Sequence, residues 1–274
     1  MAKINHLTAQ LNECLDRFLL GISESNLNVT ACYLTGSGAG NYFIEGASDL
    51  DISVFIQNDR TTQQSADNII SELIIQASKV FKVQLDISII YLDKEAIILG
   101  EGAHIREGII TSKYGGICLL GRDILKDYPT PFEMYLKHTI KKPIEFFSQV
   151  RHGDVILYPL NYPAKEDFYY GYLFPSQEGD ISTKLLISIY TWIAAALISY
   201  RNKVFVIGKK PCIDLLKKIE PEMGDFLEIV YEHCRNKWKY KIPVDNKDIV
   251  LLRSFCCEVK NWENFYLREY DSYV

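Results

Sequence analysis

Two aspartates one residue apart, Asp49 and Asp51, stand at the entrance of the apolar run DISVFI, residues 51–56. A strand turns alternate side chains to the same face, so these two carboxylates point the same way. Side by side they repel one another unless a cation lies between them. Asp86 occupies the same kind of setting, a lone acid among apolar residues in VQLDISII. If the two strands are neighbours, the three acids converge on one sheet edge. The result is an all-oxygen site suited to Mg2+, which takes few protein ligands and completes its shell with water and phosphate oxygens. Such a site can hold two ions and clamp the attacking and leaving oxygens of a phosphoryl-type displacement. Upstream, LTGS (34–37) ends a strand at Gly36, where a missing side chain lets a phosphate approach the backbone. Ser37 offers a hydroxyl and an N–H where a helix is expected to begin. Two other readings of these glycines fail. A dinucleotide fingerprint needs GxGxxG, and the third position here is Asn41. A Walker loop needs Gly-Lys followed by Ser or Thr, which the chain lacks.

Around these residues the apolar spacing predicts the elements that position them. Ile4, Leu7, Leu11, Leu15, Phe18 and Ile22 recur at helical intervals over 3–22, with an end expected near Gly21. VTACYLT (29–35), DISVFI (51–56), FKVQLDISIIYL (81–92) and GICLLG (116–121) read as strands, and 64–80 and 94–112 as helices. Beyond about residue 125 the pattern changes: the periodic segments 131–150, 181–200, 211–219, 222–238 and 247–268 have no convincing strand between them. The join is placed near KDYPTP (126–131), where two prolines break the helical pattern. This predicts a first domain, 1–125, of short strands and helices, and an all-helical second domain, 126–274. The aromatic stretch 158–179 reads as a loop whose rings pack on the helical domain, with ligand stacking as the alternative.

Composition sets the outer bounds. At 274 residues, 48% apolar and 24% charged, the chain can bury a core without disulfides or metals and is neither disordered nor of low complexity. Its seven cysteines include no CxxC and its five histidines no ligand spacing, so buried thiols and ordinary histidines are expected. No apolar run reaches the ~18 residues of a membrane span, and the N-terminus lacks a signal-peptide core, which points to the cytoplasm. Residues 1–125 carry 9 Lys and Arg against 15 Asp and Glu, whereas 126–274 carry 21 against 20. An acidic first half argues against a nucleic-acid backbone as the main partner and suits a cationic ligand.

The arrangement strand–Gly36-Ser37, Asp49-Leu50-Asp51 at the head of a second strand and Asp86 on a third resembles the polymerase-β-type nucleotidyltransferase superfamily. Within it, CLLGRDIL followed by the long apolar LLISIYTWIAAALISYRNKVFVIGKKPCIDLL, taken as one helix, is most similar to the streptomycin/spectinomycin adenylyltransferases. The resemblance implies an α+β fold, in which a nucleotidyltransferase domain with a small mixed sheet and helices is followed by an all-helical substrate-binding domain. It implies Gly36 and Ser37 on the phosphates of ATP as co-substrate, and Mg2+, as two ions, held by Asp49, Asp51 and Asp86. It further implies a lysine of the GKK element reaching the triphosphate, Lys209 first and Lys210 in reserve. Where the resembled enzymes often have Glu, this chain has Asp86, shorter by one methylene. The implied reaction transfers AMP from ATP to a hydroxyl of an aminoglycoside or aminocyclitol, an antibiotic-resistance activity, and releases pyrophosphate. Two alternatives stay open: a nucleotidyltransferase that modifies protein or RNA, of the toxin-associated kind, and a binding module that kept the fold. For the former, RNKWKYK (235–241) interleaves bases with aromatics, although a solvated helix end is the simpler reading.

Overall fold

The structure is a computed structural model describing residues 4–57, 63–92, 103–126, 130–147, 169–170, 172–175 and 181–270. Helix α1 (Ala9–Glu24) buries Leu11, Cys14, Leu15, Phe18, Leu19 and Ile22 on one stripe, as the spacing demands. It starts later than the apolar period suggests. Thr8 caps it by accepting from the Leu11 N–H, and the Asn12 side chain ties down the preceding turn through Ile4, Leu7 and Thr8. Ile4 and Leu7 are still buried, which is why their period imitates a helix. The helix also runs through Gly21, which serves instead as a point of close approach: a Cβ there would lie 2.4 Å from Leu73 Cδ2 of α3 (Gln63–Phe81).

Four strands follow from the apolar runs: β1 (Val29–Leu34), β2 (Leu50–Gln57), β3 (Leu85–Leu92) and β4 (Ile117–Gly121). Their order is β3-β2-β1-β4, with β1 antiparallel to both β2 and β4, and β2 parallel to β3. Only a crossover can join parallel neighbours, and α3 provides it. Alternation along β2 sends Leu50, Ile52, Val54 and Ile56 into a core with α1 and α3. Phe55 turns to the opposite face, where Ala31, Tyr33, Ile90, Leu125 and Ile109 of α4 (Ala103–Gly115) form a second core. Each such apolar side chain is worth about 1.5–3 kcal/mol when fully buried, so the central strands are anchored on both faces. Residues 93–102, which include the start of the helix expected over 94–112, lie outside the described residues.

The chain divides into two compact units, Met1–Pro131 and Phe132–Val274. The second contains α5 (Phe132–Phe147), α6 (Lys184–Asn202), α7 (Lys209–Ile219), α8 (Pro221–Tyr231), a π-helical turn over Glu232–Lys237, and α9 (Asn246–Tyr270). It is not wholly helical: β5 (Phe174–Pro175) and β6 (Ile181–Ser182) pair as a short antiparallel ribbon. Helix α6 is apolar nearly all round and forms the centre of this core. The segment taken as one long helix breaks at Lys203, which adopts φ 55° and ψ 43°, and residues 203–208 form a connector before α7. The buried Tyr135 hydroxyl holds that connector, accepting from the Val206 N–H at 2.9 Å and lying 3.2 Å from Ser199 Oγ. Replacing Tyr135 with Phe is expected to destabilise the protein by about 1–3 kcal/mol, because the buried Val206 N–H loses its partner. Denaturant unfolding of the full chain checks this, and an unchanged midpoint excludes the anchoring role.

The basic and aromatic residues of 235–241 are largely engaged within the unit. Arg235 is buried with its guanidinium 5.1 Å from the Tyr231 ring, and Lys237 and the Trp238 indole N–H both donate to Asp248. Of the aromatic stretch, Tyr169 and Tyr170 lie beneath Arg253 and Lys260 of α9, and buried Tyr172 donates to buried Glu263. Residues 158–168, 171 and 176–179 of that stretch lie outside the described residues. Among the described residues, no helix is long and apolar enough to cross a membrane.

Candidate active site

The register of β2 on β3 sets Asp51 directly opposite Asp86. Adjacent parallel strands in register turn paired side chains to the same face. The pairing begins just before the acids, where the Leu50 N–H donates to Gln84 O at 2.9 Å. Asp49 precedes β2 by one residue and shares the face of Asp51. It is delivered by a tight turn in which Ser48 N–H donates to Ile44 O at 2.8 Å and Ser48 Oγ accepts from the Ile44 N–H at 3.0 Å. Each of the three acids offers one carboxylate oxygen within 4.8 Å of the other two. Asp49 and Asp51 are half-buried and Asp86 is exposed. At 4.8 Å, two like unit charges repel by about 1 to 3.5 kcal/mol between the bulk-water and near-surface dielectric limits.

Gly36 and Ser37 flank this cluster. The helix expected at Ser37 is a single turn, α2 (Gly36–Ala39). Gly36 has φ +60°, and a Cβ built on it would lie 2.0 Å from Asp51 Oδ2. The first demand for glycine is thus made by the chain's own carboxylate, a reason that the sequence-based expectation of phosphate approach does not contain. The Ser37 Oγ is buried and, among the described residues, has no hydrogen-bond partner. An orphaned hydroxyl beside clustered hard-oxygen donors fits a divalent cation together with a phosphate-bearing ligand.

Lys209 belongs to the helical unit, where it opens α7 and donates to Ser188 Oγ on α6 at 3.0 Å. Lys210 has a structural engagement, pairing with Glu228 at 2.9 Å and Asp214 at 3.1 Å. The bond to Glu228, more than any other influence, raises the Lys210 pKa. Lys217 and Lys210 together hold the Glu228 carboxyl below its ordinary range. Sequence reasoning missed two residues that support the acids, Ser48 in the turn ahead of Asp49 and Thr35 beside Asp51. The available signal was their type, since Ser and Thr favour local side-chain-to-backbone bonds.

No family model matches the chain, and no curated protein does either. Among solved structures, the crystal structure of spectinomycin adenyltransferase AAD(9) from Enterococcus faecialis, with ATP and spectinomycin, is similar with a TM-score of 0.52. The likeness covers 93% of this chain and 98% of that one at 11% sequence identity. The chain therefore has a nucleotidyltransferase-like fold, in which a four-stranded mixed sheet carries the three acids and a helical region follows.

Proposed function

We propose that this protein is a Mg2+-dependent nucleotidyltransferase that moves AMP from ATP to a hydroxyl of a small cationic acceptor, an aminoglycoside or aminocyclitol, and releases pyrophosphate. The observation that carries the proposal is the meeting of Asp49, Asp51 and Asp86 within 4.8 Å on one sheet edge, beside Gly36 and Ser37. Fold likeness to an enzyme crystallised with ATP and spectinomycin supports the choice of donor and acceptor class. Asp49, Asp51 and Asp86 would hold the metal, two ions in this reading. When bound there, Mg2+ offsets the acids' mutual repulsion and the charge of the triphosphate, and so favours in-line displacement.

The remaining roles fall to the chain's own groups. The Ser37 hydroxyl donates to a phosphate oxygen, which gives its orphaned Oγ a partner. Asp86, exposed at the edge strand, accepts the proton of the acceptor hydroxyl. The acceptor oxygen bonds to the α-phosphorus as the bond from that phosphorus to the bridging oxygen breaks, and the electron pair leaves with pyrophosphate. A base within hydrogen-bond reach contributes roughly 10²–10⁴-fold to such a step. Lys209, in the helical unit, is assigned to the triphosphate. Changing it to Ala is expected to weaken ATP binding roughly 10-fold, the scale of one charge-assisted bond, measured by equilibrium titration with a non-hydrolysable ATP analogue. Unaltered affinity removes Lys209 from the site.

A pyrophosphate-release screen against aminoglycosides, aminocyclitols and lincosamides, with each nucleoside triphosphate, tests the function. ATP- and metal-dependent release with one acceptor supports it. If labelled ATP and cell extract instead put label on protein or RNA, the acceptor class is wrong and the macromolecule-modifying alternative takes its place.

A further inference from the structure

We infer that Thr35 is a positioning residue that fixes Asp51 through its backbone carbonyl. The β1–β2 ladder ends with Leu34 opposite Ile52, and Thr35 extends it by one step. Its N–H donates to Asp51 O at 2.8 Å and its hydroxyl donates to the same oxygen at 3.3 Å. Thr35 occupies the N-cap position of α2, a place where threonine ordinarily bonds the helix's own N–H groups. Its side chain makes no such bond here. With φ −128° and ψ −169° the residue is fully extended, and it is only 6% exposed, so the hydroxyl is turned inward to Asp51 instead of outward to the helix or to water.

The consequence lies in how closely Asp51 is confined. Its carboxylate fits against the hydrogen side of Gly36 and must meet both Asp49 and Asp86. Strand pairing with β3 sets the residue from one side, and Thr35 sets it from the other. A carbonyl that takes two donors from one residue has less freedom to tilt than one held by a single bond. Tilting this carbonyl swings the Asp51 Cα–Cβ vector, and with it the ligand oxygen. Residues that orient metal ligands in this indirect way typically alter metal affinity about 10–100-fold when removed.

This inference rests on reading the three acids as a metal site, so its test reads metal binding and not turnover. Mn2+ is the probe, titrated into the full chain without nucleotide and followed by its paramagnetic signal. Thr35→Val keeps the shape, the strand preference and the N–H, and loses only the hydroxyl. We expect it to weaken Mn2+ binding roughly 10-fold, the lower end for an orienting residue, and Thr35→Ser to return the affinity to within about twofold of the parent. Both variants should melt with the parent protein. If Thr35→Val binds Mn2+ as the parent does while Asp51→Asn does not, the Thr35 role is wrong and the metal site stands. If Val and Ser weaken binding alike and both lower the melting temperature, Thr35 is structural only. If the parent itself binds no Mn2+, the metal-site reading fails, and this inference with it.

Discussion

Asp51→Asn is expected to reduce AMP transfer by roughly 10³-fold, the upper end of what removal of one preorganised electrostatic contact costs. Asparagine keeps the size of the side chain and one ligand oxygen but removes the charge. Of the three acids, Asp51 is the one that joins the other two to Gly36. It faces Asp86 in register, shares a face with Asp49 and fills the space left by Gly36. Its charge is also repelled by the other two acids, each close like-charged pair contributing about 1 kcal/mol or more. The two effects therefore move in opposite directions. In metal-free buffer the variant should melt no lower than the parent, while Mn2+ affinity and pyrophosphate release collapse. A variant that retains a tenth or more of the activity, or that unfolds early in metal-free buffer, is inconsistent with a repulsive carboxylate cluster built to hold a cation.

Much of the site could be read from local sequence, because it depends on side-chain alternation. Asp49 and Asp51 had to share a face, and Asp86 stood out as an acid in an apolar strand. What local sequence does not encode is register. That Asp51 falls opposite Asp86, and not one residue away on the other face, is settled by the Leu50-to-Gln84 bond and by the crossover through α3. The misread boundaries have the same origin. Ile4 and Leu7 are buried at helical spacing in a non-helical turn because a side chain, Asn12, holds the backbone there. The break at Lys203 has no proline or glycine to announce it, and the connector after it is held at Val206 by a tyrosine hydroxyl 71 positions away in sequence. A ribbon of two residues per strand is too short to show a period at all. The contact of Gly36 with Asp51 likewise joins residues on different elements, so the glycine could be recognised as required without its physical reason being visible.

That contact makes Gly36→Ala the second large effect. Two penalties act at once. At φ +60° an alanine is strained by about 1–2 kcal/mol whatever the space around it. The new Cβ would also stand 2.0 Å from Asp51 Oδ2 and 2.8 Å from its Cγ, so the carboxylate must leave its place beside Asp49 and Asp86. A displacement of about 1 Å of a positioned group costs on the order of 10²-fold in rate, and that is the loss expected in AMP transfer and in Mn2+ affinity. The two penalties separate in a double-mutant cycle with Asp51→Ala. Once the carboxylate is gone only the 3.3 Å approach to the Asp51 Cβ is left of the steric part, while the backbone part remains, so Gly36→Ala should destabilise the Asp51→Ala protein less than it does the parent. The coupling should fall within the roughly 0.5–3 kcal/mol usual for residues in contact. It is measured by denaturant unfolding of the four proteins in metal-free buffer. Equal destabilisation in both backgrounds would mean that backbone conformation alone requires the glycine, and that Asp51 does not occupy the space its missing side chain leaves.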